Sequence, residues 1–220
     1  MKTTKKGFTL IELIVVIAII GVLAAILVPT MLGYVKKSKI SSANSSASSV
    51  YKAINSALTE LDEEGVDVGG LWILTWDGSK WATSSTNDIA GNIGTDGRFD
   101  AKVTNFFADI TKVTDAKAAL KGGACVALSV ASDSTYTGTY PGGIVTSDTY
   151  ESYSDDTAEA LEDALMLASG AKTAGFDKTT KKMKFKNSAD EDVSAPIGDD
   201  YQALASHTSD TTAAKIEATK

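Results

Sequence analysis

Apolar residues fill the chain almost without a break from Phe8 to Val28 (FTLIELIVVIAIIGVLAAILV), with one charge, Glu12, inside the run and Lys2, Lys5 and Lys6 before it. At 1.5 Å per residue such a helix spans about 31 Å, close to a bilayer core of about 30 Å. The pattern predicts one membrane crossing. A secretory signal peptide also begins basic and continues apolar, but its apolar region is about 7 to 15 residues long and ends at a small-x-small site. Here the run is longer, and the best such site, after Ala24, falls inside it.

Beyond the run the pattern changes from uniform to periodic. Ile40, Ala43, Ala47, Val50, Ile54, Ala57, Leu58 and Leu61 recur at spacings of three and four, one face of an amphipathic helix. Pro29 and Gly33 invite a kink or local unwinding where the two regimes meet. Seven serines between Ser38 and Ser49 also suit a flexible linker, yet the apolar stripe passes through them in phase. Gly65, after Glu60, Asp62, Glu63 and Glu64, is a left-handed stop, although acids at a helix C-terminus oppose its dipole. A helix from Phe8 to Glu64 would extend about 85 Å.

The remainder alternates short strand and helix patterns. Leu71 to Ala82 (LWILTWDGSKWA) reads as a hairpin around Asp77-Gly78. Phe106, Phe107, Ile110, Val113 and Leu120 suggest a short amphipathic helix between Phe99 and Leu120. Strands are expected at Ala124 to Val130, Tyr136 to Tyr140 and Ile144 to Thr146. Thr157 to Leu167 reads as a helix with Asp156 and Glu159 as a capping box. Met183 and Phe185, alternating with Lys182, Lys184 and Lys186, look like an edge strand guarded by charge. The inventory is α+β: an antiparallel sheet of about four or five strands laid on the outer half of the first helix.

Composition removes most chemistry. The chain has 220 residues, one cysteine (Cys125) and one histidine (His207), so it builds no internal disulfide, no Cys/His zinc site and no obvious Cys-His nucleophile. Cys125 sits in an apolar strand as a small hydrophobe. His207 stands far in sequence from any organised Ser and Asp, and GGLW, KGGA and PGGI lack the lysine and strand-to-helix context of a phosphate loop. No catalytic role is expected. Beyond Lys39 there are 15 basic and 27 acidic side chains, a net of −12, which disfavours nucleic acid as a partner. The one local cluster of lysines, Lys178 to Lys186, fits a guarded strand.

Two groups invite a functional reading beside a structural one. Trp72, Trp76 and Trp81 would serve either as the core of a hairpin or as an aromatic platform for a sugar or receptor. Asp88, Asn92, Asp96 and Asp100 sit in a glycine-bearing loop, but their spacing of four fits acidic turns better than an EF-hand.

Glu12 is the anomaly, because an unpaired carboxylate in hydrocarbon costs roughly 2.5 to 3.5 kcal/mol or more. Its place near the end of the run also allows it to rest among the headgroups. The heptapeptide KGFTLIE, Lys6 to Glu12 with the glycine at Gly7, resembles the processing site of type IV pilins and of the related pseudopilins of type II secretion systems. The resemblance covers about Lys5 to Lys39 and includes Pro29, which matches that family's helix-breaking proline. It implies that a membrane peptidase cuts after Gly7, removing leader residues 1–7, and methylates the new amine of Phe8. It also implies that Glu12 is the assembly carboxylate.

The implied organisation is a transmembrane and filament-core helix over residues 8–30, its amphipathic continuation over 31–64, a globular domain over 65–188 and an acidic, loosely held tail over 189–220. Many pilins carry a C-terminal cysteine pair that this chain lacks. Because some secretion pseudopilins bind calcium near the C-terminus, Asp190, Glu191, Asp192, Asp199 and Asp200 are kept as possible ligands, with no other cofactor expected. The partners implied are other copies in a helical filament, the prepilin peptidase and the assembly machinery. The chain would lie in the inner membrane, outer domain outside, and then in a surface filament. Competing readings are a type II secretion pseudopilin and a membrane-tethered binding module or adhesin.

Overall fold

A computed structural model describes residues 7–82, 98–154, 156–209 and 215–216, and the chain divides into two units, residues 1–38 and 39–220. One helix, α1 (Leu10–Glu63), begins in the first and ends in the second. In the first unit every α1 residue from Leu10 to Val35 is exposed, so this stretch is apolar all round with no protein to cover it. It is the one helix among the described residues long and apolar enough to cross a membrane.

The unwinding expected at Pro29 and Gly33 does not occur, since both are helical. Proline removes one ladder bond, the one to the Ala25 carbonyl, while the Thr30 hydroxyl donates to the neighbouring carbonyls of Leu27 at 2.8 Å and Ile26 at 3.4 Å. Gly33 keeps its N–H. One lost bond in so long a helix does not end it.

In the second unit α1 buries Ile40, Ala43, Ala47, Val50, Ala53, Ile54, Ala57, Leu58 and Leu61, while Ser41, Ser42 and Ser45 face solvent. The serine run is therefore helix, its propensity deficit offset by the packed stripe. Gly65 (φ +81°) closes the helix: Val66 N–H donates to Leu61 O at 3.0 Å and Gly65 N–H to Asp62 O at 2.9 Å, a Schellman closure with Val66 and Leu61 in one core. Two of the acids at this end are paired by α2 (Arg98–Phe106), whose Lys102 lies 2.9 Å from Glu60 and 2.7 Å from Glu64 and whose Arg98 lies 3.0 Å from Glu64.

Strands β1 (Leu71–Trp76), β2 (Trp81–Ala82), β3 (Asp115–Lys121), β4 (Ala124–Ala131) and β5 (Thr137–Tyr140) form an antiparallel sheet in the order β2-β1-β3-β4-β5. Both faces are covered. Trp72, Leu74, Trp76, Ala118, Leu120 and Leu128 pack on α1, whereas Leu71, Ile73, Ala119 and Ala127 pack on α3 (Thr157–Ala168) through Leu161, Ala164 and Leu165. A strand buried on both faces need not alternate in polarity, and alanines let the helices approach. A register shift at Ala119/Leu120 turns Cys125 toward α1, where its N–H donates to Asn55 Oδ1 at 3.0 Å.

Several expectations change. Leu120 is in the central strand β3, and Val113 precedes it, so the expected helix is only α2 followed by a 3-10 helix at Ala108–Lys112. The hairpin loop has four residues, with Asp77 Oδ1 accepting from Ser79 and Lys80 N–H, both at 2.9 Å, and Trp76 pairing with Trp81. Ile144 to Thr146 is not a strand. Thr149 Oγ1 donates to the Ile144 carbonyl at 2.6 Å and Asn44 Nδ2 to the Val145 carbonyl at 3.0 Å, so side chains replace a ladder.

The strand β7 (Lys182–Lys186) is not an edge either, for it lies between β6 (Lys172–Asp177) and β8 (Asp192–Val193) in a second sheet. Its lysines reach across to acids: Lys182 to Glu159, Lys184 to Asp177 and Lys186 to Asp190. The stretch expected to be loosely held carries β8, α4 (Asp199–Ala205) with Leu204 fully buried, and β9 (Lys215–Ile216), which pairs with β1. A few well-placed apolar residues hold it where composition gave little signal.

Candidate functional site

The charged feature of the apolar helix is built where the helix starts. Thr9 stands as its N-cap: its hydroxyl accepts from Glu12 N–H at 3.3 Å, and its own N–H donates to Glu12 Oε2 at 2.8 Å. The same hydroxyl donates to Oε2 at 2.7 Å. Two backbone donors that would otherwise be orphaned are thus satisfied reciprocally, which is a capping box. Phe8, Ile11, Val15 and Val16 surround Glu12 along a shallow groove, and Phe8 is 86% exposed.

The arrangement lowers the cost of taking the carboxylate into an apolar medium, because Oε2 enters already holding two donors. It leaves a negative charge within one helical turn of residue 8. The expected residues Gly7, Phe8 and Glu12 therefore lie together at one helix end, with Pro29 and Gly33 farther along the same helix. Thr9 joins these residues without having been among those expected from the sequence. Its signal was present, since T-x-x-E before an apolar run is the spacing of a capping box.

The other candidates separate. Trp72, Trp76 and Trp81 are at most 3% exposed and belong to the core facing α1. Trp76 Nε1 donates to Val113 O and Trp72 Nε1 to Gly69 O, both at 2.9 Å, so they form no platform. Asp88, Asn92 and Asp96 lie outside the described residues, and Asp100 accepts from Trp81 N–H at 3.1 Å. Asp190 faces Lys186, Glu191 faces Asn187 and Asp200 faces Lys121 at 3.1 Å. Among the described residues no group of three or more His, Cys, Asp or Glu is placed to hold a metal. Cys125 is buried, which pushes its thiol well above the ordinary range and keeps it protonated. His207 Nδ1 meets Ala203 O at 3.0 Å and Ser206 Oγ at 2.9 Å, a contact local to the end of α4.

Residues 2–28 match the family described as "Prokaryotic N-terminal methylation motif". Over 116 residues the chain is 35% identical to the type IV major fimbrial protein FimA of Dichelobacter nodosus, covering 48% of this chain and 69% of that one. It is 36% identical over 94 residues to the fimbrial protein EcpC of Eikenella corrodens, covering 43% and 61% of the two chains. It is 46% identical over 57 residues to the type IV major pilin protein PilA of Myxococcus xanthus (strain DK1622), 26% of each chain. No solved structure matches.

Proposed function

Since the chain belongs to the type IV pilin family, we propose that it is a prepilin, cut after Gly7, methylated at the Phe8 amine and polymerised into an extracellular pilus through its apolar helix. It anchors in the membrane first and becomes part of a surface filament afterwards, with the domain of residues 39–220 on the outer side. The observation that carries the reading is the reach of the FimA similarity, which extends well past the methylation motif. The similar proteins are named as fimbrial proteins and major pilins, which supports the pilus over a secretion pseudopilus and a structural role over catalysis.

Glu12 has a defined part in this reading. Each incoming subunit presents a positive amine at Phe8, and a resident Glu12 in a dry helix bundle is its natural counter-charge. Breaking such a buried pair by removing one partner costs about 3 to 5 kcal/mol, at a step repeated for every added subunit. Glu12→Val should insert into the membrane at least as well as the parent and still be cut, yet surface filaments should largely disappear. Immunoblots of sheared and membrane fractions read this directly. Normal filament yield from processed Glu12→Val protein would show that the carboxylate has no role in assembly.

A further inference from the structure

We propose that the basin between α3, β7, β8 and α4 is a binding site for a small organic cation, a protonated amine carried on an apolar body. The basin measures about 630 Å³, within the range of small-molecule sites. One side is apolar, formed by Met166 of α3, Met183 and Phe185 of β7 and Val193 of β8. The other side is mainly acidic, with Lys182 and Lys184 of β7 also on the lining. Glu159, Glu162 and Asp163 stand at spacings of three and four, so α3 presents all three to the same space.

These carboxylates are oriented by their neighbours. The Tyr153 hydroxyl donates to Asp163 Oδ2 at 2.5 Å, and the hydroxyl of the fully buried Thr208 donates to Glu162 Oε1 at 2.6 Å. The cations nearby are already engaged: Lys182 pairs with Glu159 at 3.1 Å and Lys184 with Asp177 at 3.1 Å. Beside the apolar wall, no ion pair among the described residues joins Glu162, Asp163 or Asp192; Lys182, though paired with Glu159, also acts on Glu162 and Asp163 from a greater distance. A hard cation such as calcium or magnesium gains nothing from methionine, phenylalanine and valine, whereas an amine with an apolar body uses both sides.

The charges facing Asp163 also set a pH dependence. Burial, with Glu159 and Glu162 on its own helix, pushes its carboxyl up to about 6, opposed by the Tyr153 hydroxyl and by Lys182 of β7. The other charged groups on the lining are Lys184 of β7, paired with Asp177, and Asp192 of β8, while Gln202, Ala205 and Ser206 of α4 do not titrate. An ammonium ion therefore meets a neutral Asp163 at pH 5 and a charged one at pH 7.

The test titrates the full chain in detergent micelles with 2-phenylethylammonium, while ¹³C-methyl NMR follows its methionines. Met166 and Met183 line the basin, whereas Met31 lies in the apolar helix and reports partition into the micelle. Saturable shifts at Met166 and Met183 are expected, with an affinity about tenfold above that of neutral 2-phenylethanol and rising from pH 5 to pH 7. Asp163→Asn and, as an independent variant, Glu162→Gln should each weaken ammonium binding about tenfold and leave the alcohol unchanged. Equal affinity for the alcohol, shifts confined to Met31, or unaltered ammonium binding by a folded variant would each overturn the assignment.

Discussion

Gly138 of β5 passes so close to Ala43 of α1 that a Cβ on residue 138 would stand 2.1 Å from the Ala43 carbonyl oxygen and 2.6 Å from the amide nitrogen of Asn44. The neighbours are helix backbone and cannot rotate aside. Gly138→Ala should therefore force the edge strand off the helix and lower stability by about 3 kcal/mol or more, beyond ordinary overpacking. Thermal unfolding of the full chain in micelles would show it, and an unchanged melting temperature would mean that the two backbones do not touch in this way.

Asn44 fastens the same junction. Its Oδ1 accepts from Thr139 N–H at 3.1 Å and its Nδ2 donates to Val145 O at 3.0 Å, so one side chain caps the free edge of β5 and holds the segment after it. Asn44→Ala leaves both backbone groups without that partner and should cost about 2 to 3 kcal/mol, while Asn44→Asp, which keeps only the acceptor, should cost a smaller share. Protection of the Thr139 amide against hydrogen exchange checks the bond directly, since it should fall in the alanine variant and persist in the aspartate variant.

Asp163 gives stability a pH dependence whose sign follows from its environment. Its carboxyl is raised from 3.8 to about 6, so folding favours the protonated form. The favourable contribution is full below about pH 4 and lost as pH rises through about 6, a difference of order 2 to 3 kcal/mol. Asp163→Asn keeps the shape without the charge, so it should melt at a higher temperature than the parent at pH 7 and at nearly the same temperature at pH 4. A parent and variant separated equally at both pH values would contradict the burial of that carboxyl.

Asp177 runs the other way. The Thr179 and Thr180 amides and Lys184 hold its carboxyl down to about 2. Its stabilising contribution is present above about pH 4 and lost as pH falls through about 2. Because its partner Lys184 is exposed and the carboxylate itself is only partly covered, the effect should be small and local to the β6–β7 hairpin. Asp177→Ala should loosen amide protection there with little change in global melting.

The parts legible in the sequence are those in which a local pattern and the tertiary environment agree. The run from Phe8 to Val28 needs nothing but its own composition, the stripe from Ile40 to Leu61 keeps its phase through seven serines, and Gly65 supplies a positive φ where the helix stops. Asp156 caps α3 as its spacing implies, accepting from Glu159 N–H at 2.9 Å. The central strand β3, Asp115–Lys121, was not legible. Its DAKAALK reads as helix former by propensity and becomes a strand only because β1 and β4 pair with it on either side.

The same physics hid the second sheet. β7 resembles a charged edge because its lysines point to carboxylates brought from α3, from β6 and from the turn after β7, relationships that have no fixed spacing in sequence. Leu204 and Thr208 are single buried residues in a polar stretch, too few to make a pattern. At the helix start the converse holds: Thr9 and Glu12 are three residues apart, their contact is local, and the spacing alone contained it.

The intact mass of the protein recovered from sheared surface filaments, with its N-terminal fragment sequenced, decides whether this chain is processed and polymerised as a pilin. The chain should begin at Phe8, with a mass equal to residues 8–220 plus one methyl group on the terminal amine. A surface protein that retains Met1, or one that begins after Ala24, would contradict it.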